Sequence, residues 1–285
     1  MRVETVADCR CEIAEVPMWH PTEERLYWTD IPAGEMYRYD PEADEYEQCY
    51  DGGVVGGYTI QADGSFLLFM EAGAVRSLDD DGSLETVVES LPGEEGSRFN
   101  DVIADPNGRV FGGTMPTDDG LGTLYRLDTD GTTTALVEDV DLPNGMGFDP
   151  DHERFYFTES NTNTIYEFDY DVATGDLSNK RVFVDIPDDK GMADGLTVDE
   201  EGYVWSAQFG GGCVVRYAPD GTEDDRYEIP AKNVTSLLFA GNSFDELYVT
   251  TAKFEASEDD PLAGGVFRLR PRVSGVEEFY SRVSI

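Results

Sequence analysis

The sequence predicts an all-β fold, a six-bladed β-propeller, and three observations carry the prediction. One pattern occurs six times: an apolar strand, a connection of variable length, then a strand in which an aromatic or aliphatic residue precedes Arg, Asp or a turn. The units start about 40 to 48 residues apart, the length of a four-stranded blade. Alternation of period two dominates, as in Leu26-Trp28 and Tyr37-Tyr39, and no helical stripe of useful length interrupts it.

The units follow in order. "RLYWTDIPAGEMYRYDP" opens the series, and "FLLFMEAGAVRSLDDDG" repeats it with a shorter connection. "RVFGGTMPTDDGLGTLYRLDTDG" has the longer acidic insertion, and "RFYFTESNTNTIYEFDYD" a polar one. "YVWSAQFGGGCVVRYAPDG" and "ELYVTTAKFEASEDDPLAGGVFRLRP" complete the six. Between them lie hairpin signals, "ADGS", "DPNGR", "DEEGY", "TDGT" and "PDGT". Six sheets arranged radially bury both faces and leave few free edges. The strand-like ends "MRVETVAD" and "VEEFYSRV" are expected to meet in one blade and close the ring, making residues 1–285 a single domain.

A chain of 285 residues with 40% hydrophobic content can bury a large core. Its formal charge is −40, from 60 acidic against 20 basic residues. Such a charge repels nucleic acid and anionic membrane surfaces, so neither is expected as a partner. The carboxylates are spread between apolar runs along the whole chain, unlike an acidic tail, and lysine occurs only at 180, 190, 232 and 253. An evenly acidic, lysine-poor surface fits a protein adapted to high salt, where screening weakens self-repulsion. The N-terminal "MRVETVADCRCEIAEV" lacks the apolar stretch of a secretion signal, so a soluble, cytoplasmic protein is expected, with a monomer favoured and the oligomeric state left open. Cys9, Cys11, Cys49 and Cys213 form no CxxC pair and are expected as thiols.

In a propeller the innermost strands line a central channel, and residues entering them face its axis. Counting back about ten to twelve residues from each unit's second strand reaches Glu15, Gly57, Asn100, Asn144, Asp194 and about Thr235. Four of these six carry oxygen donors suited to a hard cation. Each alone also reads as ordinary turn chemistry, since Asn-Asp, Asn-Gly and Asp-Gly are common turn pairs. At symmetry-related places, the set points to a metal site.

The sequence resembles the senescence-marker-protein, gluconolactonase and luciferin-regenerating family, which includes regucalcin. The resemblance rests on "AEVPMWHPTEERLYWTDI", "RFNDVIADPNGRVFGGTM", "LPNGMGFDPDHERFYFTES", "DGLTVDEEGYVWSA" and "VTSLLFAGNSFDELYVTTA", in that order over nearly the whole chain. It implies a six-bladed propeller with one divalent cation in the channel and Glu15, Asn144 and Asp194 as ligands. It places substrate contacts on Arg98 and Asn100. The acidic residue after "GTM", usually Glu in the family, falls on Asp118, one methylene shorter. Oxygen ligands suit Ca²⁺, Mn²⁺ or Mg²⁺, calcium first, and relatives with zinc or ferrous iron leave Zn²⁺ and Fe²⁺ open.

These residues suit hydrolysis of a small sugar lactone to its aldonic acid in carbohydrate oxidation. A cation polarises the carbonyl and stabilises the oxyanion, while Asp194, ligand and general base at once, takes the proton of water. Arg98 and Asn100 would hold sugar hydroxyls, and Asp101 is read as bracing a turn. Two other readings remain open: hydrolysis of other esters or phosphotriesters, and a non-catalytic calcium-binding propeller. A Ser-His-Asp arrangement has little support, because His20 and His152 both lie at turns. No G-x-S-x-G elbow or P-loop occurs. "DDDGS" and "DTDGT" lack the spaced ligands of an EF-hand and read as hairpin turns. "GGVVGGY" lacks the strand–loop–helix context of a nucleotide site.

Overall fold

The computed structural model describes residues 2–79, 81–118, 120–257 and 259–284. Its described residues form six four-stranded antiparallel sheets and two single-turn 3₁₀ segments. Five sheets run through consecutive strands, beginning with the inner strands Ala14–His20, Val55–Ile60, Phe99–Ala104, Pro143–Phe148 and Met192–Val198. The sixth begins with Val234–Ala240, and its fourth, outermost strand is Glu4–Ala7 from the chain's start. Neighbouring inner strands touch in sequence, and Ala14–His20 closes the circle against Val234–Ala240. The fold is the six-bladed β-propeller expected.

Burial follows from radial position. Inner strands are buried along almost their whole length, whereas the outermost strands Glu45–Asp51 and Glu223–Glu228 are largely exposed. Large side chains fill the spaces between blades: Trp28, Trp205, Phe111, Phe155, Phe157 and Phe267 are all fully buried. Two buried aspartates serve this packing. Asp105 accepts from the Arg109 side chain and the Tyr170 hydroxyl, and Asp199 from Trp205 Nε1 and Arg216 Nε. A buried carboxylate is tolerated where it is paired and hydrogen-bonded in this way. The "DTDGT" stretch is a hairpin turn, with Asp128 N–H donating to Thr132 O and Thr132 N–H to Asp130 Oδ1. No helix among the described residues is long and apolar enough to cross a membrane.

The C-terminal segment departs from expectation. The partner of Glu4–Ala7 is Val266–Leu269, so the closing blade is complete before "VEEFYSRV" begins. With no strand edge left in that blade, residues 274–284 cross the far end of the channel instead. Gly275 bridges Asp199, Phe279 packs on Phe148, Ser281 bridges Gln61, and Arg282 N–H donates to Gly108 O. All of these partners lie at or just beyond the distal ends of inner strands.

The six inner strands share a second irregularity near their starts. Register breaks between Glu15 and Met18, Val55 and Gly57, Phe99 and Asp101, Pro143 and Met146, Ala193 and Leu196, and Val234 and Ser236. A β-bulge bends a strand and re-aims a side chain, and bulges gather next to functional sites. Each inner strand therefore carries its bulge at the same place, close to where it enters the blade. Asn144-Gly145 and Asp194-Gly195 are not turns but bulges inside strands.

The glycines at these bulges are required by close approach. A Cβ on Gly145 would lie 2.2 Å from Leu196 N and 2.7 Å from Asp194 O, both backbone atoms of the next blade. Gly145→Ala should therefore lower unfolding free energy by about 1–3 kcal/mol, as overpacking does. Gly120→Ala, where a Cβ meets nothing within 4 Å, serves as control. Equal denaturant midpoints for the two variants would show that the inner strands are not so tightly apposed.

Candidate active site

Of the residues expected at the channel mouth, Asn100, Asn144, Asp194 and Thr235 occupy the bulges, and Glu15 directly precedes the bulge of its strand. Glu15, Asn100, Asn144 and Asp194 are all buried, and Thr235 takes the sixth place, its hydroxyl donating to Ala14 O at 2.6 Å. In the second blade the bulge falls on Gly56, one residue before the Gly57 expected. A Cβ there would sit 1.8 Å from Phe99 O, so the backbone of the next blade leaves no room for a side chain. Val16, directly after Glu15, has φ +48, a left-handed conformation that is strained for a β-branched residue. This geometry lets its N–H donate to Glu15 Oε2 at 2.9 Å.

A single hydrogen-bond chain fixes the two amides. Arg98 Nη1 donates to Asn100 Oδ1 at 2.8 Å, and also to Phe99 O. Asn100 Nδ2 donates to Pro143 O at 2.8 Å and to Asn144 Oδ1 at 3.0 Å. Asn144 Nδ2 donates to Ser160 Oγ at 2.9 Å, and Ser160 Oγ donates to Ala193 O at 2.6 Å. The chain begins at a guanidinium, which cannot accept, and ends at a carbonyl, which cannot donate. Every link between therefore has only one polarity, and Asn144 must turn its oxygen toward Asn100 and its nitrogen toward Ser160.

The carboxylates are electrostatically frustrated. Burial, then the charge of Asp101, pushes Glu15 up to about 8, against the Val16 N–H and the Arg98 charge. Burial, then the charges of Glu15 and Asp101, holds Asp194 well above the carboxylate range. Burial lowers Arg98 below its ordinary value, with Glu15 and Glu71 opposing. Three acids thus share one site with a single half-buried arginine, an arrangement that lacks positive charge.

Three participants were not identified from the sequence. Asp101 does not brace a turn: it lies in strand Phe99–Ala104, lines the channel, and burial pushes it up to about 7. Glu278, on the crossing C-terminal segment, lines the same space and is also pushed up to about 7, by burial and then by Asp101. Ser160 likewise carries no sequence signal, because its partners lie 16 and 33 residues away. Asp118 is exposed in the tight turn where Thr117 N–H donates to Gly120 O, outside the buried cluster.

The oxygens of Glu15, Asn144 and Asp194 could hold a hard cation, Arg98 can donate to a polar ligand, and a carboxylate of raised pKa suits proton transfer. Comparison with known proteins agrees with this architecture. The pentonolactonase XacC of Haloferax volcanii is 48% identical over 294 residues, covering 100% of both chains. A luciferin-regenerating enzyme structure superposes with TM-score 0.91 at 30% identity, covering 99% of each chain. The calcium-binding protein regucalcin of Agrobacterium tumefaciens gives TM-score 0.93 at 27% identity, over 99% of this chain and 98% of that one. Residues 13–253, which include Glu15, Arg98, Asn100, Asn144 and Asp194, match the SMP-30/Gluconolactonase/LRE-like region. The chain belongs to the SMP-30/gluconolactonase/LRE-like family.

Proposed function

We propose that the protein is a metal-dependent lactonase that opens a small aldonolactone, of the five-carbon type first, to the aldonic acid. The observation that carries this reading is the placement of Glu15, Asn144 and Asp194 at matching points of three inner strands, Glu15 directly before the bulge of its strand and Asn144 and Asp194 within theirs. Relatedness to a pentonolactonase over the full chain supports the substrate class.

The donor set fits a hard divalent cation, calcium first, with Mn²⁺, Mg²⁺, Zn²⁺ and Fe²⁺ as alternatives. All three donors are oxygens, and two buried carboxyls, both raised by burial and by the charge of Asp101, and Asp194 also by that of Glu15, need an opposite charge near them. The chemistry that such a cation supplies when bound is polarisation of the lactone carbonyl and compensation of the oxyanion. Asp194 accepts a proton from water as the water oxygen attacks the carbonyl carbon, and returns it to the ring oxygen when the C–O bond breaks. Arg98 keeps Nε–H and Nη2–H for substrate oxygens, since only Nη1 is committed among the described residues. Both Asn100 amide hydrogens are taken internally, so Asn100 can only accept from a sugar hydroxyl. Asp118 is the remaining candidate contact, one that needs the turn around it to approach the mouth.

Acid release from a panel of glucono-, xylono- and arabinonolactones, followed in a pH-stat with metal-loaded protein, tests the reading. Five-carbon lactones should open well above their spontaneous rate; spontaneous rates throughout the panel would end the proposal. Ser160 offers a finer test. Without its oxygen the Asn144 amide loses its fixed orientation, so Ser160→Ala should weaken metal binding about 10-fold or more, as loss of an orienting partner does. Unchanged affinity by calorimetric titration would assign the orientation elsewhere.

We also propose adaptation to high salt. The exposed outer strands and turns carry most of the excess of 60 acidic over 20 basic residues, and at molar salt the screening length falls to about 3 Å. The melting temperature should rise with KCl up to molar concentrations; indifference to KCl would contradict this.

A further inference from the structure

The joint between the outermost strand of the closing blade and the first inner strand holds two thiols in contact. Cys11 Sγ donates to Cys9 Sγ at 3.1 Å, and Cys9 Sγ donates to Gly264 O at 3.1 Å. In extended chain the two side chains would be separated by a full pleat repeat. Arg10, with φ +56, curls the backbone between them and brings the sulfurs together. The curl is held from outside: Cys11 N–H donates to Gly264 O at 3.0 Å and Lys253 N–H to Cys11 O at 3.2 Å. Gly264 must be glycine here, because a Cβ would meet Cys11 O at 2.3 Å.

The surroundings distinguish the two sulfurs. Cys9 is half-buried and open to small solutes, whereas Cys11 is 2% exposed. The fully buried Trp28 indole N–H has no hydrogen-bond partner among the described groups, and it faces both sulfurs. The bond from Cys11 holds Cys9 below the ordinary thiol range, while the same bond and burial push Cys11 up. Cys49 and Cys213 lack this arrangement. Cys49 donates to Met36 O and is pushed up to about 12 by burial; Cys213 is buried and receives Arg226 Nη1 at 3.0 Å.

We propose that Cys9 and Cys11 form an oxidant-reactive dithiol, a modification site for peroxides, with Cys9 as attacking sulfur and Cys11 as resolving sulfur. The Cys9 thiolate attacks one oxygen of hydrogen peroxide, the O–O bond breaks, and hydroxide leaves, giving the Cys9 sulfenic acid. Cys11 then attacks the Cys9 sulfur, the S–O bond breaks, and water leaves with the Cys11 proton. In sum, two thiols and one peroxide give one disulfide and two waters. The low-pKa, accessible thiol beside a resolving partner is the arrangement expected of such a site.

Trypsin cuts after Arg10, so the bridge would join residues 3–10 to residues 11–25. Folded protein is treated with hydrogen peroxide at neutral pH, the remaining thiols are alkylated, and the protein is digested without reductant. The joined peptide should appear before either Cys49 or Cys213 loses alkylation, and reductant should separate it. In Cys11→Ser, dimedone should trap the Cys9 sulfenic acid and no joined peptide should form. Urea-unfolded chain, in which Arg10 no longer holds the curl, should lose the preference of Cys9 over Cys49. Equal oxidation of all four thiols in the folded protein would overturn the proposal, as would Cys49 reacting first. A Cys9 in Cys11→Ser no more reactive toward dimedone than Cys49 would do so as well.

Discussion

Asp194→Asn should bind metal more weakly yet still saturate at higher concentration, while kcat falls by about 10²–10⁴, the usual worth of general acid–base catalysis. The substitution keeps the shape of the side chain and one ligating oxygen, and it removes the basic one. Asp194 sits at the bulge of strand Met192–Val198, enclosed and facing the charges of Glu15 and Asp101, with the Gly195 N–H as its favourable backbone contact. Ligation and proton acceptance oppose each other, because a bound cation lowers carboxylate basicity. They coexist if one oxygen ligates and the other faces water. Restoration of wild-type kcat at saturating metal would make Asp194 a ligand only and move the base elsewhere. Asp118 is then the next candidate, together with Asp101, already inside the channel and pushed up to about 7.

The metal-free protein should lose about 3 kcal/mol of stability or more as pH rises from about 5.5 to 8.5, the scale for an uncompensated buried charge. Glu15, Asp194, Asp101 and Glu278 have folded-state pKa values above those of the unfolded chain, so folding retains protons that the unfolded chain releases. Their contribution is complete below the unfolded carboxyl values, near 4. It is lost as pH rises through the folded values, about 8 for Glu15. Exposed carboxylates are already ionised across this range and add little slope. Urea unfolding in chelator measures the effect, and saturating divalent cation should remove it. Glu15→Gln should make the profile shallower without metal, and Glu15→Ala should emerge from gel filtration without stoichiometric metal by elemental analysis. A flat profile for metal-free wild type would show that these buried carboxyls do not hold their protons in the folded chain.

The architecture was legible because every blade repeats the same local chemistry: alternation of period two, then Asp, Asn or Gly at the hairpins. The family resemblance named Glu15, Asn144 and Asp194 as ligands, and the repeat phase placed them at one height. Their backbone was not legible. Asn-Gly and Asp-Gly serve equally as turn and as bulge, and only the approach of Leu196 and Ser236 on the next blades decides between them. The segment containing Glu278 misled for a related reason. "VEEFYSRV" alternates like a strand, but Val266–Leu269 had already taken the edge offered by Glu4–Ala7. Asp101 followed the same logic, its neighbour Asn100 suggesting a turn where the chain forms an inner strand.

The most direct test of the account titrates metal-stripped protein with a divalent cation while following acid release from a pentonolactone. Bound metal is counted on the same samples. The account predicts a rate near the spontaneous one without metal, rising in proportion to bound cation and levelling at one equivalent. Full activity in a sample that elemental analysis shows to be free of metal would contradict it.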